Sequence, residues 1–207
     1  MTASYVVLLP VKPPSRGKSR LEVDPGRRRA LAAAFALDTA RACLGAARVA
    51  SVLAVTDDAR FADELRDAGC DAIPDGVAGD LNESLRLAAA EGRRRWPDRV
   101  PVVVCADLPA LRAADLDEAL TTVSTWGVTA FVADRDGVGT TLYTSPYDDF
   151  DPHFGAGSRQ AHLDAGAREI AGELLTLRAD VDDARALAGA EALGLGAHTR
   201  LAMLLRP

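Results

Sequence analysis

Short apolar runs alternate with longer amphipathic segments through the first half of this chain. The runs have the length and composition of buried β-strands, and the segments between them collect their apolar residues on one helical face. The predicted strands are Tyr5 to Leu9, Ser51 to Val55, Asp71 to Ile73 and Pro101 to Cys105. The predicted helices are Arg27 to Ala46, Asp58 to Ala68 and Asp80 to Trp96. Strand and helix in turn indicate an α/β sandwich.

The pattern becomes less regular in the second half of the chain. A helix is expected near Ala113 to Val123, and strands are expected at Val128 to Ala133, Gly139 to Thr144 and Glu173 to Leu177. Two terminal helices are expected at Asp183 to Leu193 and Ala197 to Leu204. No repeat or linker interrupts the pattern, so we expect a single domain over residues 1–207.

The composition fits an enzyme that acts on a small molecule. The chain has 207 residues, of which 48 % are hydrophobic, and this is enough for a full core. Its net charge of −6 argues against partners such as nucleic acid or an anionic membrane, because both need an extended basic face. No long apolar run and no secretory leader is visible, so we expect a cytoplasmic protein. The three cysteines lack disulfide or zinc-site spacing and are expected to be small buried residues: Cys43, Cys70 and Cys105.

The only two lysines of the chain lie in one loop directly behind the first predicted strand. These are Lys12 and Lys18, and the other 22 cations are arginines. Lysine is a compact point charge that can follow a phosphate through a reaction, whereas arginine suits fixed bidentate contacts. Residues 10–21 are therefore a candidate phosphate-binding loop, with a solvated basic surface as the alternative. A Walker P-loop is not predicted, because Lys12 stands where its first glycine is required.

Aspartates follow two of the predicted strands. Ligands in open α/β sheets bind beyond the carboxyl ends of the strands, and Asp107 lies there behind a buried run. A carboxylate in that place suits Mg²⁺, which prefers oxygen ligands and keeps waters and phosphates in its shell. Asp180 or Asp182 is the candidate partner. The alternatives are a turn cap before Pro109 for Asp107, and helix capping for Asp182 and Asp183.

Two glycine-rich segments can bind anions through their backbone N–H groups. Residues 134–141 read Asp-Arg-Asp-Gly-Val-Gly-Thr-Thr, and residues 154–159 read Phe-Gly-Ala-Gly-Ser-Arg. In the second segment, Ser158 adds a hydroxyl and a predicted helix start. A hairpin turn and an ordinary N-cap are the alternatives. Two anion sites together with carboxylates indicate two phosphorylated substrates.

Asn82 is the only asparagine of the chain. Its side-chain amide offers a paired donor and acceptor that can read the edge of a nucleobase. The alternative is a residue in the first turn of a helix that Asp80 caps.

These motifs, in this order, resemble those of the guanylyltransferases of coenzyme F-420 biosynthesis. The matching segments are Pro10 to Lys12, Lys18 to Leu21, Leu81-Asn82, Ala106 to Pro109, Asp136 to Thr141 and Phe154 to Ser158. The resemblance spans nearly the whole chain. It implies a three-layer sandwich with a mostly parallel, Rossmann-like sheet, of the type found in nucleotide-diphospho-sugar transferases. It also implies that GTP is coupled to phosphoenolpyruvate or 2-phospho-L-lactate, with release of pyrophosphate.

The resemblance further implies roles for single residues. The residues expected at the GTP are Lys12, Lys18, Arg20 and Asn82, and the two lysines are also expected to act in catalysis with Asp107. The residues expected at the phosphoenolpyruvate are Thr140, Gly155 and Ser158. The residues expected at Mg²⁺ are Asp107 and either Asp180 or Asp182. The segment after this pair departs from the family pattern, so the choice between the two aspartates stays open.

The expected reaction is in-line attack by a phosphate oxygen of the acceptor on the α-phosphorus of GTP. A phosphate dianion is nucleophilic at neutral pH, so no general base is required. The alanine- and arginine-rich composition indicates a high-G+C bacterium, and bacterial members of the family resemble phosphoenolpyruvate users. The alternatives are 2-phospho-L-lactate as the acceptor, a cytidylyl- or uridylyltransferase for a sugar or alditol phosphate, and an inactive nucleotide-binding partner of the downstream transferase. Transient contact with that transferase is the one protein interaction that the resemblance suggests.

Overall fold

A mixed seven-stranded sheet crosses the part of the chain that the structure describes. The structure is a computed structural model, and it describes residues 4–13, 21, 23–77 and 79–204. The strands are β1 (Tyr5–Pro10), β2 (Val49–Val55), β3 (Asp71–Ile73), β4 (Val100–Val104), β5 (Ala130–Ala133), β6 (Thr140–Thr144) and β7 (Arg168–Glu169). Their order in the sheet is β3-β2-β1-β4-β6-β5-β7. Only β6 runs antiparallel to its neighbours, β4 and β5.

Helices cover both faces of this sheet. They are α1 (Pro25–Leu44), α2 (Ala59–Asp67), α3 (Leu81–Arg95), α4 (Ala113–Trp126), α5 (Ser158–Asp164), α6 (Ala184–Leu193) and α7 (Ala197–Leu204), with a short 3-10 turn at Tyr147–Asp149. Most of the predicted segments are therefore present with ends shifted by a few residues.

The apolar residues of β1 alternate between two cores. Tyr5, Val7 and Leu9 lie in the core under α1, α2 and α4, whereas Val6 and Leu8 lie in the core under α3. This alternation follows from the two-residue period of a strand that is buried on both faces. A third cluster joins α1 to the terminal helices α6 and α7. The predicted three-layer α/β sandwich with a mostly parallel sheet is confirmed.

Aspartate side chains begin four of the helices. Each carboxylate accepts a hydrogen bond from the backbone N–H three residues later, at distances of 2.8 to 3.1 Å. The four residues are Asp24, Asp58, Asp80 and Asp183. Capping satisfies backbone donors that the first helical turn leaves without partners. The capping alternatives for Asp80 and Asp183 are thus realised.

The strand predicted at Glu173 to Leu177 is wrong. The segment forms turns instead, with Leu174 at a positive φ of 37° and the N–H of Leu177 bonded to its carbonyl at 3.0 Å. The backbone N–H and the hydroxyl of Thr176 both donate to the carboxylate of Asp115, at 2.9 and 2.7 Å. The carboxylate of Asp115 in α4 therefore accepts the hydrogen bonds that a neighbouring strand would accept if this segment were a strand. The last strand of the described sheet is the short β7.

The direction of β6 determines what lies beside the end of β4. Because the two strands are antiparallel, the first residues of β6 meet the last residues of β4. The N–H of Cys105 donates to the carbonyl of Thr141 at 2.9 Å, and its thiol donates to the carbonyl of Thr140 at 3.3 Å.

Cys43 and Cys70 are buried free thiols, as expected, whereas Cys105 is only partly buried.

Candidate functional site

The order of the strands places a switch point between β1 and β4. The chain runs outward from β1 through β2 to β3 and then returns to the other side of β1 with β4. Crevices beyond the carboxyl ends of strands at such points are the usual ligand sites of open α/β sheets. Lys12 follows β1 there and is exposed, and Asp107 follows β4. The predicted phosphate ligands Lys18 and Arg20 lie outside the described residues.

Asp180 lies beside Asp107 at this crevice. The N–H of Val181 donates to the carbonyl of Asp107 at 3.0 Å, which joins the segment before α6 to the end of β4. Burial raises the pKa of Asp180 to about 7, and the nearby carboxylates of Asp107, Asp134 and Asp182 add to the effect. Asp182 itself is exposed. Of the two candidate partners of Asp107, Asp180 is the more buried.

The carboxylates at this crevice suit a divalent cation that keeps part of its shell for other ligands. Within the described ranges, no three acidic, histidine or cysteine side chains come close enough to hold a metal ion by themselves. Mg²⁺ commonly binds through one or two carboxylates together with substrate phosphates and waters. The all-oxygen pair Asp107 and Asp180 fits that mode of binding, because a bound cation would stabilise the ionised carboxylate that burial and the neighbouring carboxylates disfavour.

A tight turn precedes Thr140 at the start of β6. The carboxylate of Asp134 accepts hydrogen bonds from the N–H groups of Val138 and Gly139, at 2.9 and 2.7 Å. A side chain at Gly139 would collide with the same carboxylate. Gly139 is therefore required by close approach, and the turn gives Thr140 a fixed position.

The second glycine segment, residues 154–158, forms a loop that α5 follows directly. Gly155 and Gly157 have φ values of 141° and 71°, which side-chain-bearing residues rarely adopt. The N–H of Arg159 donates to the carbonyl of Val138 at 3.1 Å, so this glycine loop is joined to the turn before Thr140. Ser158 begins α5 and is buried. The structure thus brings together the sequence-predicted residues Thr140, Gly155 and Ser158.

Asn82 holds the glycine loop from the side of α3. Its Oδ1 accepts the N–H of Phe154 at 2.7 Å, and its Nδ2 donates to the carbonyl of Phe154 at 3.0 Å. One N–H and one lone pair of the amide remain for another partner. Asn82 does lie in the first turn of the helix that Asp80 caps, and its pairing with Phe154 is a contact that the sequence does not predict.

His162 is a buried part of the site to which the sequence analysis assigned no function. Its ring is stacked on Tyr143 with centroids 4.8 Å apart, and on Phe131 at 5.4 Å. Nδ1 lies 3.0 Å from Oγ1 of Thr140, and Nε2 accepts the N–H of His153 at 3.0 Å. Burial lowers the pKa of His162 to about 4. The spacing of four residues between Ser158 and His162 was the available signal, since it places both on one face of α5.

Relatives of known name resemble this chain over almost its full length. A phosphoenolpyruvate guanylyltransferase from Thermomonospora curvata is 45 % identical over 199 residues, which cover 95 % of this chain and 87 % of that protein. Proteins of the same name from Streptomyces coelicolor and Salinispora arenicola are 42 % and 41 % identical, with 94 % and 97 % of this chain covered and 93 % and 94 % of theirs. This chain belongs to the phosphoenolpyruvate guanylyltransferase family. The predicted family, and with it the prediction of a nucleotidyltransferase, is confirmed. A scan against protein-family models finds no match.

Solved structures of other nucleotidyltransferases share the fold of this family member. A 4-diphosphocytidyl-2C-methyl-D-erythritol synthase matches with a TM-score of 0.64 and 12 % identity, over 92 % of this chain and 99 % of the other. A putative nucleotide-diphospho-sugar transferase from Desulfovibrio desulfuricans matches with a TM-score of 0.63 and 17 % identity, over 81 % of this chain and 80 % of the other. Both likenesses concern the fold alone. Among the described helices, none is long and apolar enough to cross a membrane.

Proposed function

We propose that this protein joins GTP and phosphoenolpyruvate to give enolpyruvyl-2-diphospho-5'-guanosine and pyrophosphate, as a step of coenzyme F-420 biosynthesis. The observation that carries the proposal is the 41 to 45 % identity to three proteins named for this activity. The geometry supports it, because the carboxylate pair and the start of β6 at Thr140 both lie at the end of β4. A cytoplasmic location, a single domain and a transient contact with the downstream transferase remain predictions.

The nucleotide would bind on the side of β1 and α3. Lys12, Lys18 and Arg20 are proposed to hold the GTP phosphates, since charge on the transferring and leaving groups must be neutralised as it develops. Asn82 is proposed to contact the nucleotide with the N–H and lone pair that its bonds to Phe154 leave over.

Asp107 and Asp180 are the proposed ligands of Mg²⁺, with Asp182 as the alternative to Asp180. The greater burial of Asp180 and its raised pKa favour it over the exposed Asp182. Bound Mg²⁺ would supply charge neutralisation and alignment of the phosphates. The two carboxylates would hold and orient it from the end of β4 and from the segment before α6.

The acceptor is proposed to bind between the start of β6 and the glycine loop. Thr140 and Ser158 offer hydroxyl groups, and Gly155 permits the backbone to approach an anion closely. The bond from the asparagine of α3 to Phe154 and the bond from Arg159 to Val138 hold the glycine loop at its two ends.

The reaction needs positioning more than proton transfer. A phosphate oxygen of phosphoenolpyruvate would form a bond to the α-phosphorus of GTP, while the bond from that phosphorus to the bridging oxygen of the β-phosphate breaks and pyrophosphate leaves. The attacking oxygen carries no proton at neutral pH, so no base is required. Lysine charges at the leaving group and hydroxyl donors at the acceptor would hold the two phosphates in line.

Pyrophosphate release tests the proposal. Purified protein is mixed with GTP and Mg²⁺, and phosphoenolpyruvate is compared with 2-phospho-L-lactate and with no acceptor. Release with phosphoenolpyruvate and GTP, and not with CTP or UTP, is the expected result. If no acceptor gives release, the downstream transferase and its own acceptor are added, because an unstable product can hide turnover. If pyrophosphate is still not released, the proposal is rejected.

An inactive nucleotide-binding role is tested with a variant. Asp107→Ala removes the proposed metal ligand at the end of β4 and should abolish pyrophosphate release while the circular dichroism spectrum stays unchanged. A wild-type protein that binds GTP without any turnover, together with an Asp107→Ala variant that behaves identically, would favour the inactive partner.

A further inference from the structure

The ring of His162 joins the two elements that form the proposed acceptor site. One ring nitrogen, Nδ1, lies 3.0 Å from Oγ1 of Thr140, and the other, Nε2, lies 3.0 Å from the backbone nitrogen of His153. His162 is fully buried, and Thr140 is almost so. We propose that His162 is a positioning residue for the acceptor: it donates to the hydroxyl of Thr140 and thereby directs the hydroxyl hydrogen toward an anionic oxygen of the substrate. This inference rests on the proposed function, because it names how the acceptor of that reaction is held.

The hydrogen bond from His153 fixes the tautomer of the ring. A backbone N–H can only donate, so Nε2 of His162 must present its lone pair. The neutral ring therefore carries its hydrogen on Nδ1, which lies 3.0 Å from Oγ1 of Thr140, and the ring has the backbone of Ser158 as a further partner. In a neutral histidine, the hydrogen bond of one ring nitrogen thus determines whether the other nitrogen carries the hydrogen.

The tautomer in turn determines what the hydroxyl of Thr140 can do. Because Oγ1 accepts from Nδ1, its own hydrogen must be donated to something else. The described residues offer it no other partner within hydrogen-bond distance. Thr140 stands at the junction of the Asp134–Gly139 turn and the end of β4, so a phosphate or carboxylate oxygen of an acceptor bound there can accept that hydrogen.

The same ring also holds the glycine loop. His153 precedes Phe154, whose backbone is bonded to the amide of Asn82 on the other side. Ser158 lies four residues before His162 and therefore on the same face of α5. A single neutral ring thus positions Thr140 and the start of the glycine loop relative to each other. A phenylalanine would fill the space between Phe131 and Tyr143, but it would leave both polar partners without a bond.

Two substitutions of His162 test the hydrogen bonds of its two ring nitrogens separately. In His162→Asn the amide nitrogen stands near the place of Nδ1 and can still donate to Thr140. In His162→Gln the amide oxygen reaches the place of Nε2 and can still accept from His153, while the donor to Thr140 is lost. The matched control is Gln160→Ala, on the exposed face of α5, where the side chain donates to Asp164 at 2.8 Å.

The experiment is a double-mutant cycle with Thr140→Val, read by the KM for phosphoenolpyruvate and by calorimetric binding of phosphoenolpyruvate. His162→Gln should raise both the KM and the Kd for phosphoenolpyruvate about tenfold and leave the KM for GTP within about twofold, as expected for loss of one hydrogen bond to a charged group. His162→Asn should recover most of the loss, and Gln160→Ala should match wild type. In the Thr140→Val background, His162→Gln should have no further effect, because both residues act through one hydroxyl.

Equal effects of His162→Gln and His162→Asn, or additive effects of His162→Gln and Thr140→Val, would overturn the inference while leaving the proposed function intact. If wild type neither binds phosphoenolpyruvate nor turns it over, the proposed function fails, and the inference fails with it. Should His162→Gln not fold, ¹⁵N NMR of the wild-type histidines decides alone. A hydrogen on Nδ1 of His162 is the expected result, and a hydrogen on Nε2 would refute the proposal.

Discussion

The side-chain amide of Asn82 is paired with the backbone of Phe154, with Oδ1 2.7 Å from its nitrogen and Nδ2 3.0 Å from its carbonyl oxygen. The two residues are 72 positions apart in the chain. Asn82 belongs to the first turn of α3, and Phe154 begins the glycine loop. The pair therefore connects the helix next to the proposed nucleotide site with the loop of the proposed acceptor site.

Asn82→Ala should raise the KM for phosphoenolpyruvate about tenfold, because it removes two hydrogen bonds of about 1 kcal/mol each from the glycine loop. Steady-state kinetics with each substrate varied in turn measures this. Glu83→Ala is the control, since Glu83 lies in the same helical turn and its carboxylate forms a surface ion pair with Arg86. A variant with normal kinetics toward phosphoenolpyruvate, but with lost preference for GTP over ATP, would show that Asn82 acts on the base and not on the loop.

Asp180→Asn and Asp182→Asn should differ in their response to Mg²⁺. Asp180 lies among other carboxylates at low exposure, so removal of its charge should raise the melting temperature of the metal-free protein by about 2 to 4 °C. The same substitution should abolish the further rise that Mg²⁺ gives to wild type. Asp182→Asn, at the exposed position two residues later, should retain that rise. Thermal unfolding with and without Mg²⁺ tests both statements, and the reverse pattern would make Asp182 the ligand.

The sequence predicted the parts of the site that follow from strand order. The position of Asp107 beyond the end of β4 followed from the apolar run before it, because the carboxyl ends of parallel strands meet at one edge of a sheet. Its role as a ligand stays a prediction. The unbroken apolar run Tyr5 to Leu9 likewise predicted a buried strand, and β1 is present there. These inferences need only local pattern and a general rule of topology.

Contacts between distant side chains could not be predicted in this way. The pairing of Asn82 with Phe154 joins residues 72 apart, and the contact of His162 with Thr140 joins residues 22 apart. The strand wrongly predicted near Thr176 failed for the same reason, since the carboxylate of Asp115 comes from 61 residues away. Each depends on the packed fold, which a pattern of apolar positions does not contain.

Thr199→Val should stabilise the protein by about 1 kcal/mol. Thr199 is fully buried in α7, and within the described part of the chain its hydroxyl has no hydrogen-bond partner. A buried hydroxyl without a partner costs free energy that an apolar group of similar shape does not. The bond from its backbone N–H to Asp38, at 2.8 Å, would be kept. Denaturant unfolding should show a higher midpoint for Thr199→Val and a lower one for Thr199→Ser, which keeps the hydroxyl and loses a methyl group.

The stability of the protein should depend on His162 at mildly acidic pH. Burial lowers the pKa of this ring from its ordinary 6.5 to about 4. Between these two pH values the ring is protonated in the unfolded chain and neutral in the folded chain. Above pH 6.5 the ring is neutral in both states and contributes no pH dependence. Between pH 7 and pH 5, wild type should therefore lose about 2 kcal/mol more of its unfolding free energy than His162→Asn, which has no titrating ring. Urea unfolding at several pH values measures the difference, with Gln160→Ala expected to follow wild type. If the unfolding free energies of wild type and His162→Asn fall in parallel with pH, the ring is protonated in the folded state as readily as in the unfolded state. The neutral tautomer that orients Thr140 would then be lost at the same pH.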